Sequence, residues 1–214
     1  MPRLAPWGQP LRHPAQEAAA AAAAPAAGPD AVRCGPAATT GMRQNVRDGS
    51  EVAMVVRAPL AVFDLDGTLA DVRHRLPFLQ QRPRDWDAFF RAAADDPPLV
   101  KGVALALETA ERCELAYLTG RPEHCRTDSV QWLRQHGLPA GRLLMRARDD
   151  RRPGRVVKPE LLRLLARERT VALVVDDDEQ VVAAYRRAGF QVVLADWMAA
   201  PAALEAAQER EGRT

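Results

Sequence analysis

Lysine is almost missing from this chain. Of 30 basic side chains only Lys101 and Lys158 are lysines. Arginine is therefore the default cation of an alanine-rich sequence, as in a GC-rich coding background, and a lysine invites a reason. Cysteine is scarce as well. Cys34, Cys113 and Cys125 show no CxxC or zinc-type spacing, which excludes a CxxC redox motif and a zinc ribbon and fits a reducing compartment. No apolar run approaches the ~18 residues of a membrane span, and Ala18 to Ala24 is too weakly hydrophobic for a signal peptide. The expectation is a cytoplasmic protein with no membrane partner. A large charge excess is missing too: a net +2 does not argue for nucleic acid or membrane by itself. No internal repeat is present.

What is present is a chain of 214 residues, 47% hydrophobic and 27% charged, which suits one α/β domain plus an extra segment. Residues 1–53 are rich in Ala, Pro, Gly and Arg, with almost no large apolar residues at periodic positions. Such a segment cannot offset its ordering entropy by burial, so a disordered leader is expected, with Met42 and Met54 as alternative starts. From 54 to 200 short apolar runs alternate with helical periodicity. Strands are expected at 59–64, 114–118, 143–145, 171–175 and 192–194, and helices at 101–112, 126–136, 158–168 and 179–188. A terminal helix and tail are expected over 201–214. This alternation predicts an α/β fold with a three-layer, Rossmann-like parallel sheet covered on both faces. Residues 71–98, too few for a domain, read as a small helical flap after strand one. Asp85 is its candidate N-cap, and Trp86, Phe89 and Phe90 are read as local packing ahead of the alternative, base stacking.

The stretch that organises the chain is Leu60 to Leu69, an apolar run ending in Asp64-Leu65-Asp66-Gly67-Thr68. Residues i and i+2 of a strand share a face, so the two carboxylates converge. Asp176 and Asp177 end a second apolar run, and Thr119, Gly120 and Arg121 end a third. In a parallel sheet chemistry gathers outside the carboxyl ends of the strands. Several carboxylates at one edge need a counter-charge, and oxygen-only ligands select a hard cation such as Mg²⁺. With Thr119, Arg121 and Lys158 added, the set suits a transferring phosphoryl group, and an aspartate can carry that group covalently.

In this order, Asp-x-Asp-Gly-Thr, apolar-Thr-Gly, Lys and apolar-Asp-Asp, the residues resemble the haloacid dehalogenase (HAD) superfamily over about 58–198. The resemblance implies the HAD fold and a Mg²⁺-dependent phosphatase with these roles. Asp64 is the nucleophile and Asp66 the general acid/base. Thr119 holds the phosphoryl oxygens, and Lys158 neutralises the phospho-aspartate. Asp64, Asp66 (through its backbone carbonyl), Asp176 and Asp177 surround the metal. From Thr119 to Tyr185 the chain is most similar to the 3′-phosphatase domain of phage-type polynucleotide kinase/phosphatase. The similarity is carried by Thr119-Gly120-Arg121, Trp132 before Gly137-Leu138-Pro139, Val156-Val157-Lys158, and Asp176-Asp177 with Gln180-Val181-Val182. It implies substrate contacts at Gly120 and Arg121, and DNA or RNA 3′ ends as the phosphorylated substrate. The chain has no Gly-x-x-x-x-Gly-Lys-Ser/Thr loop, so a kinase half is not part of it, and a separate kinase or ligase partner is implied.

Two alternatives stand beside this one. A small-molecule phosphatase or nucleotidase fits the modest charge and the absent kinase loop. A phosphoacceptor signalling domain uses similar residue types, although in receivers the acidic pair precedes the phosphorylated aspartate, and here it follows Lys158. Arg142, Arg146, Arg148, Arg151, Arg152 and Arg155 form a basic loop before Lys158. Either it holds a polyanionic substrate, with Arg155 as a binding residue, or it is a solvated loop in an arginine-biased chain. His74, His124 and His136 have no partners at metal spacing and receive no role. Asp178 is read as an N-cap.

Overall fold

Five short apolar runs form one sheet in the computed structural model, which describes residues 57–147 and 149–198. The leader expected at 1–53 and the helix and tail expected at 201–214 lie outside the described residues. The strands are β1 (Leu60–Phe63), β2 (Glu114–Pro122), β3 (Arg142–Arg146), β4 (Val171–Asp176) and β5 (Val192–Leu194). Their order is β3-β2-β1-β4-β5 and every pairing is parallel. The helices are α1 (Pro77–Gln80), α2 (Trp86–Arg91), α3 (Val100–Ala110), α4 (Arg126–Gln135), α5 (Gly154–Glu168) and α6 (Glu179–Arg187). Parallel neighbours require crossover connections, and helices supply them here.

Alternation along β1 divides the core in two. Ala61 and Phe63 join Leu115, Tyr117, Leu173 and Val175 on one face, where Ala106 of α3 and Trp132 and Leu133 of α4 cover them. Leu60 and Val62 join Ala116, Leu118 and Val174 on the other, beneath Leu162 and Leu165 of α5 and Val181 and Tyr185 of α6. Each buried Leu, Val or Phe among them contributes about 1.5–3 kcal/mol relative to exposure. With both faces covered, the polar groups that follow β1 and β4 collect at one edge of the sheet. The expected three-layer α/β arrangement is what forms.

Two boundaries differ from expectation in ways that matter to the site. β2 continues through Thr119, Gly120 and Arg121 to Pro122, and its register against β3 slips between Leu118 and Pro122. Four residues of β2 there span two of β3, so the Thr119–Arg121 stretch bulges from the ladder. α5 starts at Gly154, not 158, because the Pro153 carbonyl accepts the N–H groups of Val156 and Val157. Pro159 therefore lies inside the helix, and Lys158 is buried within it.

Residues 71–98 leave the sheet and return beside their starting point. Ala70 bridges Pro98, Asp71 N donates to Pro97 O at 2.8 Å, and Leu99 N donates to Leu69 O at 2.7 Å. Asp85 caps α2 by accepting from Ala88 N, as expected. Trp86, Phe89 and Phe90 pack on one another with centroids 5.5–5.8 Å apart and are buried, so packing is their part.

The turn after β1 is braced from outside. Trp197 Nε1 donates to the Thr68 carbonyl at 2.9 Å. A Cβ on Gly102 of α3 would lie 1.9 Å from that same oxygen, so α3 approaches as closely as only glycine allows. Gly102→Ala should therefore lower stability by about 1–3 kcal/mol, the range of overpacking. It should also reduce turnover, because the displaced atom belongs to the Asp64–Thr68 turn. Thermal unfolding together with phosphate release checks both.

Candidate active site

Asp64 follows β1 directly, and its N–H donates to Val175 O at 2.9 Å, which places it beside the end of β4. Asp176 is the last residue of β4 and Asp177 the next. One carboxylate oxygen from each of Asp64, Asp176 and Asp177 can be chosen so that all lie within 4.8 Å of one another. The turn that carries Asp66 folds back tightly: Gly67 N donates to Ala70 O, and the N–H groups of Leu69 and Ala70 converge on Leu65 O. Gly67 has φ +81°, and a Cβ there would meet Asp177 Oδ2 at 1.9 Å. Glycine is required by conformation and by space.

Lys158 reaches this acidic group from α5. Its Nζ stands 3.1 Å from Asp64 Oδ2 and 2.9 Å from Asp176 Oδ2. Burial would lower this ammonium, but Asp176 and Asp64 outweigh it and keep it charged, well above the ordinary range. One cation against three carboxylates leaves an imbalance. Burial lifts the Asp64 carboxyl to about 8, with Lys158 offsetting part of the rise and Asp176 and Asp66 adding to it. Burial likewise lifts Asp177, helped by the charges of Asp64 and Asp176. Asp64 Oδ1 is buried with no hydrogen-bond partner. A buried orphan oxygen beside two further carboxylates is a donor set that fits a hard cation, since burying uncompensated carboxylates is otherwise costly. Tyr185 OH, at 3.5 Å from Asp176 Oδ2, backs the group from α6.

Asp66 points to a different set. Its Oδ1 accepts from Arg75 Nη2 at 2.7 Å and Arg121 Nε at 2.8 Å, and it stands outside the three-carboxylate group. Burial alone would raise this carboxyl, but Arg121 and Arg75 win and hold it at about 2. Both guanidiniums continue to Asp96. Arg75 Nε donates to Asp96 Oδ1 and Arg121 Nη2 to Asp96 Oδ2, each at 2.8 Å. His74 Nε2 lies 2.8 Å from Asp96 Oδ1. Trp132 Nε1 donates to the Asp96 carbonyl at 2.8 Å, and the Arg75 guanidinium lies 4.2 Å from the Phe89 ring centroid. Arg75 and Arg121 are fully buried, so Asp66 is held at one end of a closed ion-pair square.

Asp64, Lys158, Asp176 and Asp177 thus stand together at the ends of β1 and β4, while the Asp66 side chain is turned to Arg75 and Arg121. Thr119 is buried in the β2 bulge, and its Oγ1 accepts from Arg121 N at 3.2 Å. The Gly120 carbonyl accepts from Arg146 Nε at 3.3 Å. Arg121, expected to touch substrate, is in this conformation engaged by Asp66, Asp96 and Ser129. Arg155 is exposed on the first turn of α5. Much of the basic loop is committed elsewhere. Arg146 is buried against the carbonyls of Gly120, Asp150 and Arg152, Arg152 pairs with Asp150 and Glu160, and Arg142 pairs with Glu168. Arg148 lies outside the described residues. Sequence reasoning missed Asp96 and gave His74 no role. Asp96 is the second of two adjacent aspartates ahead of two prolines, and only the return of the insert to Leu99 brings it back to Asp66. Asp178 caps α6 as expected, accepting from Gln180 N and Val181 N.

A family model described as the phosphatase domain of polynucleotide kinase PNKP matches residues 58–196. No curated protein matches the chain. Among solved structures, a chain of the Pnkp1/Rnl/Hen1 RNA repair complex is 24% identical with a TM-score of 0.55, over 64% of this chain and 42% of its own length. A chain from a second Pnkp1/Rnl/Hen1 complex is 22% identical with a TM-score of 0.53, over 73% of this chain and 54% of its own. At these identities the likeness is one of fold. This chain spans about half the length of these solved relatives.

Proposed function

The chain belongs to the family of polynucleotide kinase PNKP phosphatase domains, which are HAD-type phosphatases, and on that premise we propose a Mg²⁺-dependent phosphomonoesterase that acts on polynucleotide 3′-phosphate ends through an aspartyl-phosphate on Asp64. The observation that carries this reading is the buried, unpartnered Asp64 Oδ1 beside Lys158, Asp176 and Asp177. Asp64, Asp176, Asp177 and the backbone carbonyl of Asp66 would hold Mg²⁺. The ion supplies positive charge against the developing charge on the phosphoryl oxygens.

In the first half-reaction an Asp64 oxygen attacks phosphorus, and the bond from phosphorus to the leaving oxygen breaks. Asp66 delivers a proton to that oxygen. In the second, Asp66 takes a proton from water while the water oxygen attacks phosphorus and releases Asp64 with inorganic phosphate. Thr119 and the Gly120 N–H would hold the phosphoryl oxygens, and Lys158 would offset their charge. If Arg121 turns to the substrate phosphate, Asp66 keeps Arg75 alone and is freer to carry the proton that the first step needs. Residues 54–200 form the phosphatase domain in this reading, with 71–98 as its flap. The likeness to chains of an RNA repair complex favours RNA ends and a separate kinase or ligase partner. No helix among the described residues is long and apolar enough to cross a membrane.

A second reading, a small-molecule phosphatase or nucleotidase, is favoured by the internal pairing of Arg142, Arg146 and Arg152, which leaves fewer cations for a polyanion. One comparison separates the two: phosphate release from 3′- and 5′-phosphorylated oligonucleotides, mononucleotides and sugar phosphates, with and without Mg²⁺. The 3′-phosphatase should release phosphate from 3′ ends only, lose activity in EDTA, and slow tenfold or more between about 50 and 200 mM salt as backbone contacts are screened. Salt-insensitive turnover of mononucleotides and none of oligonucleotides would select the second reading.

A further inference from the structure

The two halves of the site hang from different elements. One is the β2 bulge, which holds Thr119 and Gly120 and from which Arg121 Nε reaches Asp66 Oδ1 at 2.8 Å. The other is α5, from which Lys158 Nζ reaches Asp64 Oδ2 at 3.1 Å. Between them stands Arg146, the last residue of β3, with its side chain almost wholly buried. Its Nε donates to the Gly120 carbonyl and its Nη1 to the Asp150 carbonyl, each at 3.3 Å. Nη1 donates to the Arg152 carbonyl as well.

Each contact has a local reason. A bulge takes backbone groups out of the ladder and leaves them in need of partners. β2 meets β3 at Leu118–Leu144 and again at Pro122–Arg146, so Gly120 lies in the gap, and the guanidinium supplies a donor to its carbonyl. The N–H of the same peptide unit, that of Arg121, donates to Thr119 Oγ1 at 3.2 Å. The Gly120–Arg121 peptide is thereby held at both ends. On the other side, the Asp150 and Arg152 carbonyls belong to the loop that ends at Pro153. The Pro153 carbonyl accepts from Val156 and Val157 in the first turn of α5, and Lys158 is the next residue. Burial lowers the Arg146 guanidinium from its ordinary value, with Asp150 offsetting part of that effect. A charge so placed is tolerated when hydrogen bonds meet it.

We propose that Arg146 is a positioning residue: it ties the Thr119–Arg121 bulge to the start of α5 and so aligns Asp66 and the phosphoryl-oxygen donors with Asp64 and Lys158. The inference rests on the aspartyl-phosphate reading and goes beyond it. It holds for either class of phosphoester, because it concerns the phosphoryl group and not what leaves it. A planar fork holds acceptors on two sides at once, whereas a lysine ammonium is a point donor. Substitution should therefore shift one half of the site against the other, and a misplacement of about 1 Å costs about 10²-fold.

The test uses the full chain with Mg²⁺ and p-nitrophenyl phosphate, with a 3′-phosphorylated oligonucleotide in parallel. Arg146→Lys and Arg146→Ala should each lower kcat by about 10- to 100-fold per folded molecule, with KM changed less than about threefold. Guanidinium ion, added to Arg146→Ala far below denaturing concentrations, should restore part of the lost kcat, and ammonium should not. Where Arg146→Ala does not fold, Arg146→Lys, which keeps the charge, carries the test. Arg152→Ala is the control. Its side chain braces the same loop from the solvent side, against Asp150 and Glu160, and its carbonyl remains. Its kcat should stay within about twofold of wild type, as the loss of an exposed pair implies. Wild-type kcat in folded Arg146→Lys overturns the inference, as does a loss fully explained by the unfolded fraction or one that ammonium restores as well as guanidinium. A wild type inert on both substrates removes the phosphatase reading and the inference with it. An active wild type with unaffected Arg146 variants removes the inference alone.

Discussion

Asp64→Asn should abolish phosphate release, by a factor of at least about 10³, while the protein stays folded. The amide has almost the same shape and cannot attack phosphorus, and the covalent route has no second nucleophile on that atom. The fold should not suffer, because the carboxylate is already under strain. Burial, together with the charges of Asp176 and Asp66, lifts its titration to about 8 despite Lys158. Replacing it with a neutral group of equal size removes that conflict, and Lys158 keeps Asp176 at 2.9 Å. Metal-free Asp64→Asn protein should therefore unfold thermally at the wild-type temperature or slightly above it. The same preparation assayed with p-nitrophenyl phosphate and Mg²⁺ completes the measurement. Wild-type-like turnover would end the aspartyl-phosphate mechanism, and a large fall in unfolding temperature would contradict the electrostatic account.

Asp96→Ala should cost both stability and activity although Asp96 is not placed against the substrate. Asp66, Asp96, Arg75 and Arg121 carry two charges of each sign, and the two guanidiniums are wholly buried. Removing Asp96 leaves two buried cations on one carboxylate, a change of the kind that costs about 3–5 kcal/mol. Arg75 and Arg121 would then crowd Asp66 or open a path to water, and either response moves the proton-handling group. Denaturant unfolding should show the midpoint falling sharply at unchanged slope. Turnover measured well below the new midpoint should still be lower than wild type. Arg73→Ala is the control: Arg73 pairs with Asp71 outside this square and is mostly exposed, so its loss should stay within about 1 kcal/mol.

The two variants also mark the limit of what the sequence discloses. Asp64, Lys158, Asp176 and Asp177 stand at the ends of apolar runs or on a helix with a strong period, so their convergence follows from strand alternation and parallel topology. The scarcity of lysine made Lys158 conspicuous. Asp96, Arg75 and His74 carry no such mark. They lie in a 28-residue excursion whose path depends on Trp86, Phe89 and Phe90 packing together and on the Ala70–Pro98 bridge, contacts that no local pattern specifies. The first turn of α5, from Gly154 to Val157, is hidden for a similar reason: it depends on the carbonyl of Pro153 accepting from Val156 and Val157, and no local apolar period announces it. The basic loop looked like a single patch in one dimension, but folding directs Arg146 inward and pairs Arg142 and Arg152 with glutamates and an aspartate. A run of like residues along a chain is not yet a surface.

The central position of β1 has a consequence for how the molecule comes into being. Leu60 pairs with Glu114 on one side and Val171 on the other, partners that follow it by roughly fifty and more than a hundred residues. During synthesis the Leu60–Phe63 segment must wait, uncovered, until β4 has emerged, because no local hairpin can shelter a strand flanked by parallel neighbours. Such long-range closure slows folding and leaves an apolar strand open to other chains in the meantime. The residues that make the site, divided between 64–66 and 176–177, can meet only when nearly all of the described chain is present. Immature chains are therefore inert toward phosphoesters until the last central strand is in place, and the same wait is their time of greatest exposure to aggregation.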